Sequence, residues 1–339
     1  MGKFRVLVTA ELIRSELERY SDLFDFVFKG YGLNYEMLDR QEFIELCKDV
    51  DIIVSEFDTI DREVIDSAEQ LKLIVCCRGG VRTVVDVDYA KFKGIKVTRN
   101  RGRNRDSVSE HTLALILDLM RNITITDRLI RSPDIFELHG KMPKEYGDSL
   151  WGLDKTSPYI VYRGSSIRNT SVGIVGFGHS GRALYSKLKA LGFKVLIYDH
   201  NPDGKGIQDS EYRELKELLS ESDVVTLHIS GNTRDGAFFG KREFEMMKPT
   251  AFFVNTSRGF LVDESDLVEA LTNKTIAGAA IDVVSREPMD GSEYILNAPN
   301  LIITPHIGGS SLDTLMFGTG MAIQTLLSFK DGHNLKNEV

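Results

Sequence analysis

The stretch Ser171 to Asp199, SVGIVGFGHSGRALYSKLKALGFKVLIYD, narrows the possible folds more than any other part of the chain. Its apolar opening, Val172-Gly173-Ile174-Val175, has the length of a buried strand. Gly176, Gly178 and Gly181 follow with the spacing G-x-G-x-x-G, and Leu184, Leu188 and Leu191 recur at helical spacing. Lys194 to Tyr198 reads as a second strand that ends on Asp199. Strand, glycine turn, helix, strand and acid in this order make a dinucleotide-binding βαβ unit. Gly176 permits the tight turn, Gly178 lets the backbone approach a pyrophosphate, and Gly181 lets the helix pack closely on the strand. The unpaired N–H groups of a helix starting near Ser180 would hold the phosphates. Asp199 would accept the ribose hydroxyls and repel the extra phosphate of NADP, so NAD is the expected cofactor.

At 339 residues the chain can hold two domains of ordinary size. A net charge of −8 argues against general affinity for nucleic acid or anionic membrane. No apolar run approaches the ~20 residues needed to cross a bilayer. The N-terminal apolar run turns charged at once, as a first strand does and a signal peptide does not. Cys47, Cys76 and Cys77 make neither a disulfide framework nor a C-x-x-C pair. They read as small apolar residues of a reducing compartment, which makes cytoplasm the default and no metal site expected.

Upstream of the fingerprint, Phe4 to Val8, Ile52 to Val54, Leu71 to Cys76 and Ile95 to Val97 read as strands. Glu11 to Tyr20, Arg40 to Cys47 and Arg62 to Ala68 read as helices between them, which predicts a parallel sheet covered by helices. Ligands of such sheets sit at the carboxyl ends of strands. CCRGGVRTVVD is therefore a candidate loop, with Gly79 and Gly80 as an anion nest and Arg78 and Arg82 as added charge, or else a solvated turn. RNRGRNR, residues 99–105, is short and without aromatics, so it reads as a solvated hinge rather than a nucleic-acid patch. Ser107-Val108-Ser109-Glu110 has the pattern of a capping box before a long apolar helix, with His111 in its first turn as a structural histidine. Residues 132–169 read as an irregular excursion containing Trp151. Strands then recur at Val224 to Leu227, Ala251 to Val254, Ile276 to Ile281 and Leu301 to Ile303, and a last helix runs from about Leu312 to Phe329.

Three of these later strands end on chemically informative segments: NTSRG (Asn255 to Gly259), IDVVSREP (Ile281 to Pro288) and TPHIGG (Thr304 to Gly309). A doubly wound sheet gathers strand ends on one edge, so Arg258, Glu287 and His306 could meet there. Arginine suits a carboxylate because its planar fork donates two parallel hydrogen bonds. Histidine beside a carboxylate suits proton transfer, because a negative partner favours the imidazolium. Singly, Glu287 could be a turn residue and His306 a buried histidine.

With these motifs in order, the chain resembles the D-isomer-specific 2-hydroxyacid dehydrogenase family, which includes D-3-phosphoglycerate, D-lactate, glycerate and formate dehydrogenases. The likeness runs from RGGVRTVVD through GRNRDSVSEHT, the glycine fingerprint, LHISGNT, MKPTAFFVNTSRGFLVDESDLVEAL and GAAIDVVSREP to LIITPHIGG. It implies an α/β fold in which a Rossmann-type doubly wound parallel sheet is inserted into a smaller flavodoxin-like α/β domain. The expected boundaries are 1–105 plus 310–339 for the substrate-binding domain and 106–309 for the NAD-binding domain. The implied activity is NAD-dependent interconversion of a small D-2-hydroxy acid and its 2-oxo acid. Arg258 would bind the substrate carboxylate, His306 would be the acid/base, and Glu287 would pair with its imidazole.

The resemblance further implies that Asp282 orients the nicotinamide carboxamide and that Arg78, Gly79 and Gly80 lie on the substrate loop. Asn104 and Glu110 match positions around the hinge. Cofactor contacts are implied at Gly176, Gly178, His179, Ser180, Gly181 and Asp199, then at His228 and Thr233. Thr256, Ser257, Arg258, Asp282, His306 and Gly308 complete them towards the nicotinamide. A homodimer through the cofactor domains is implied, and no C-terminal regulatory domain of the phosphoglycerate dehydrogenase kind is expected after the last helix. Ser180, Ser230, Arg82 and Thr83 depart from the family pattern, and the last two bear on the substrate. Formate-type oxidation is the rival on the same scaffold, opposed by Glu287 where that chemistry has glutamine. An NAD(H)-sensing, corepressor-like binding module is the rival of a different class.

Overall fold

The computed structural model describes residues 2–132, 158–231 and 236–339. The chain divides into two compact units, Met1–Asn104 with Ser310–Val339 and Arg105–Gly309. Among the described residues no helix is long and apolar enough to cross a membrane.

In the first unit, β1 (Phe4–Val8), β2 (Phe24–Phe28), β3 (Ile52–Ser55), β4 (Leu73–Cys76) and β5 (Lys96–Arg99) form one parallel sheet in the order β2-β1-β3-β4-β5. The central strands β3 and β4 are buried at every position because both their faces are covered, whereas Arg5 of β1, Asp25 of β2 and Lys96 of β5 are exposed. Val6, Val8, Ile52, Val54, Leu73 and Val75 enter one core with the final helix, Leu312–Lys330. Their neighbours Leu7, Ile53, Ile74 and Cys76 enter the opposite core with the helices Arg40–Cys47 and Arg62–Ser67. Cys47, Cys76 and Cys77 are buried and free.

Two expectations change here. The strand β2 is not among the predicted strands, although Phe24, Phe26 and Phe28 alternate along it; Phe24 and Phe26 meet tilted at 5.7 Å, and Phe26 and Phe28 stack at 5.9 Å. The basic connector is also not wholly solvated, because Arg103 is drawn inward to pair with Glu56.

In the second unit, β6 (Ser171–Val175), β7 (Lys194–Tyr198), β8 (Val224–Leu227), β9 (Phe252–Asn255), β10 (Gly278–Ile281) and β11 (Leu301–Ile303) form a parallel sheet ordered β11-β10-β9-β8-β6-β7. The order reverses between β6 and β8, the switch point at which such sheets take ligands. The helix Arg105–Arg121 contributes Leu115, Ile116, Leu119 and Met120 to the core shared with Leu184 and Leu188 of the helix His179–Leu191. It begins two residues before Ser107, so Ser107 is helical rather than its cap; Ser109 instead donates to the Asp106 carbonyl at 2.7 Å. The last helix of the chain does use a serine cap, Ser311, whose Oγ accepts from Thr314 N at 3.1 Å.

The fingerprint glycines separate by cause. Gly176 has φ +102°, and a Cβ there would meet the His228 carbonyl oxygen at 2.5 Å. A Cβ at Gly181 would meet the Gly176 carbonyl oxygen at 2.2 Å, because the helix packs against the turn that launches it. Gly181→Ala is therefore expected to cost about 1–3 kcal/mol by overpacking, read as a lower denaturant midpoint at unchanged slope.

Candidate active site

The strands β9, β10 and β11 lie side by side with Asn255, Ile281 and Ile303 in one register row. Arg258 follows that row by three residues, Asp282 by one and His306 by three, so all three leave the sheet at the same edge. The Arg258 loop is fastened by Asn255, whose Nδ2 donates to the Arg258 carbonyl at 3.0 Å and whose Oδ1 accepts from Ser257 N at 3.0 Å. Ser257 Oγ donates to the Leu227 carbonyl at 2.6 Å, tying this loop to β8. Gly259 follows, and a Cβ there would stand 1.9 Å from the Val284 carbonyl carbon. That close approach sets the Arg258 backbone against the segment that leads to Glu287. The Arg258 side chain is exposed, with Nη1 donating to the Ser257 carbonyl at 2.6 Å.

His306 Nδ1 donates to Glu287 Oε2 at 2.6 Å. The other oxygen of Glu287 accepts from Val284 N at 3.1 Å, so the carboxylate is held from both sides. This bond fixes the tautomer and leaves Nε2 as the nitrogen that faces outward chemistry. His306 has φ +54°, a left-handed backbone uncommon for a residue with a side chain.

Asp282 holds that backbone. The carbonyl of Asp282 accepts from His306 N at 2.8 Å, Oδ1 accepts from Ile307 N at 2.9 Å, and Oδ2 accepts from Gly308 N at 2.7 Å. Thr304 Oγ1 donates to Asp282 Oδ1 at 2.6 Å and accepts from His111 Nε2 at 3.0 Å. Burial, at 2% exposure, would raise the Asp282 carboxyl, but the hydrogen bonds from His111, Thr304, Gly308 and Ile307 hold it below the usual carboxylate range. Sequence reading gave Thr304 and Asn255 no role; each lies inside a motif whose neighbours drew the attention. His111 is partnered within this network.

At the other end of the sheet edge, Asp199 is buried and fully engaged. Its Oδ2 accepts from Phe177 N at 2.7 Å, and its Oδ1 accepts from Asn201 N at 2.9 Å and pairs with Lys205 Nζ at 2.6 Å. Burial pushes this carboxyl up, and the bonds from Lys205, Asn201 and Phe177 more than offset it, so Asp199 is held below its ordinary range. The Phe177 amide belongs to the glycine turn, so the acid and the turn are one structure. Gly178, the N-cap of the helix His179–Leu191, has an ordinary φ of −80° and nothing within 4 Å of an added Cβ. Neither strain nor crowding requires glycine there. Open space over exposed helix N–H groups fits a pyrophosphate. Thr256 is buried against Thr112 at 2.8 Å, His179 and Ser180 open the helix, and Thr233 lies outside the described residues.

His228 sits just past β8, its N–H donating to the Val175 carbonyl at 2.7 Å, and burial lowers its imidazole to about 4. It is therefore neutral at pH 7. The unfolded chain binds this proton near the ordinary ~6.5, so stability is fully present above that pH and is lost as pH falls towards 4. The loss from this group is expected to reach at most about 3 kcal/mol, and His228→Asn should show a correspondingly flatter decline between those limits in urea titrations.

In the first unit, the substrate-loop candidates sit past β4. Gly80 precedes a single 3₁₀ turn, Val81–Thr83, and Arg82 is spent on Asp88 through two bonds of 2.8 and 3.0 Å. Neither Gly79 nor Gly80 has positive φ or any atom within 4 Å of an added Cβ.

A family model described as "D-isomer specific 2-hydroxyacid dehydrogenase, NAD binding domain" matches residues 113–308. The glyoxylate reductase of Korarchaeum cryptofilum is 31% identical over 342 residues, covering 99% of this chain and 96% of that protein. The glyoxylate reductase of Thermococcus litoralis is 29% identical over 306 residues, covering 88% and 87%. Among solved structures, the TT0316 protein of Thermus thermophilus superposes with a TM-score of 0.78 at 29% identity, over 99% of each chain.

Proposed function

The chain belongs to the D-isomer-specific 2-hydroxyacid dehydrogenase family, and from that membership we propose how its own residues perform the reaction. It is an oxidoreductase of CH–OH donors that works with a nicotinamide cofactor. We assign cofactor binding to the unit Arg105–Gly309 and substrate recognition to Met1–Asn104 with Ser310–Val339. NAD is favoured over NADP by the acid at the end of β7, Asp199, but only modestly, because its charge is offset by the paired Lys205 ammonium.

When bound, the nicotinamide supplies or accepts the hydride. Arg258 binds the carboxylate common to these acids with the two parallel bonds that its guanidinium provides. The Gly79–Gly80 backbone, free of side chains for no internal reason, offers further N–H groups to the acid. His306 Nε2 gives a proton to the carbonyl oxygen in reduction and takes it back in oxidation. Glu287 keeps Nδ1 protonated and stabilises the imidazolium. Asp282 positions the backbone of His306, and Oδ2, which among the described residues accepts only from Gly308 N, retains capacity for the nicotinamide carboxamide. The 2.6 Å bond between His306 and Glu287 carries this reading. We also propose a homodimer through the second unit, supported by its exposed apolar side chains Ile123, Ile130, Tyr159 and Ile160.

The test is oxidation of NADH and of NADPH by the purified protein across a panel of 2-oxo acids. Turnover with at least one acid, faster with NADH, is expected. Tight nucleotide binding with no turnover on any of them would make the protein a nucleotide-sensing module instead.

A further inference from the structure

The carboxyl edge of the first unit has a charge pattern that sequence reading left open. The strands β3 and β4 run in register, Ser55 beside Cys76, so Glu56-Phe57 and Cys77-Arg78 leave the sheet together. Basic residues at this edge would favour a substrate with a second negative charge, and Glu56 would oppose it. The structure resolves the contest. Glu56 is 5% exposed and its carboxylate is taken by Arg103, through Nη2 and a second contact of 3.4 Å from Nη1. Of the other carboxylates at this edge, Asp58 is buried and accepts from Ser55 Oγ at 2.8 Å and from Thr9 Oγ1 at 2.5 Å, and Glu11 accepts from the Tyr35 hydroxyl at 3.4 Å.

Arg78 is treated differently. Its guanidinium lies 5.4 Å from the centroid of the Phe57 ring, and Phe57 is buttressed edge-on by Tyr31 at 4.8 Å. Among the described residues no carboxylate stands within ion-pair distance of it, whereas Arg82 and Arg103 each have one. A half-buried guanidinium stacked on an aromatic face is pre-oriented, with its N–H edge unspent. It adjoins Gly79 and Gly80, whose open backbone was assigned above to the common carboxylate.

Resting on that assignment, we propose that Arg78 is a specificity-determining residue that binds a distal anionic group, so that the preferred substrates are 2-oxo acids carrying a second carboxylate or a phosphate. Phe57 sets the height of the guanidinium, and Arg103 keeps Glu56 from repelling the same group. The uncharged end of a smaller acid makes no use of Arg78.

The experiment measures kcat/KM with NADH for wild type, Arg78→Met and Arg78→Lys on five acids. Glyoxylate and pyruvate have no distal charge; oxaloacetate and 2-oxoglutarate carry a carboxylate; phosphohydroxypyruvate carries a phosphate. Wild type should favour one charged group, and comparison of the carboxylates with the phosphate identifies which. Methionine keeps an unbranched apolar chain over Phe57, and it should lower the charged acids ~10–100-fold more than the uncharged ones, with lysine between. An equal fall on all five acids would assign Arg78 to the common carboxylate and overturn the proposal, as would no fall. Wild-type reduction of none of the five would instead overturn the dehydrogenase reading on which it rests. Circular dichroism and an unchanged denaturant midpoint confirm that each variant is folded.

Discussion

His306→Asn is expected to lower turnover of 2-oxo acids by about 10²–10⁴-fold, the usual contribution of a positioned acid–base group, while NADH binding is retained. Asparagine is the informative replacement because it tolerates the left-handed backbone that His306 adopts at φ +54°. A loss of rate then reports the missing proton rather than a displaced loop. Alanine would confound the two. Glu287→Gln should give a smaller loss in the same assay, since an amide can still hold Nδ1 but cannot stabilise the imidazolium from which reduction draws its proton. Stopped-flow fluorescence of NADH separates binding from turnover in each variant. If His306→Asn reduced 2-oxo acids at the wild-type rate, the acid–base assignment would be wrong.

The second large effect is expected at Arg258. Arg258→Gln should reduce kcat/KM by about 10²–10³-fold for every acid that is turned over, because each charge-assisted bond to the carboxylate is worth about 1.5–3 kcal/mol. Arg258→Lys should recover little, since one ammonium cannot present two parallel donors. The loop itself should persist in both variants. Its fastening comes from the side chains of Asn255 and Ser257, which bond to backbone atoms and remain when the guanidinium and its own bond to the Ser257 carbonyl are removed. Uniform loss across substrates separates Arg258 from Arg78, where the loss should be selective.

Much of this was legible in the sequence, for a physical reason. Strands covered on both faces are largely apolar, so Lys194–Tyr198, Val224–Leu227 and Leu301–Ile303 appear with their final boundaries. Arg258, Glu287 and His306 were legible because polar residues just past such strands have little structural reason to be there. The edge strand Phe24–Phe28 was not, since one acidic residue and three phenylalanines resemble neither a continuous run nor a helix face. Pairings between distant side chains were also hidden. Nothing in the order of residues couples Glu56 to Arg103 or Lys205 to Asp199, yet these two bonds decide which charges remain for ligands. The helix Arg105–Arg121 shows a different failure, in which a local capping pattern lost to tertiary packing that extends the helix backwards.

The backbone of His306 also bears on how this site could evolve. Residue types that settle readily into a left-handed conformation are chiefly glycine, asparagine, aspartate and histidine. Those whose unperturbed charge changes near neutral pH reduce to histidine. The two sets intersect at one member, so a saturation library at this position has no second solution to find. New chemistries on this scaffold would have to arise by altering what surrounds the imidazole while the imidazole itself stays.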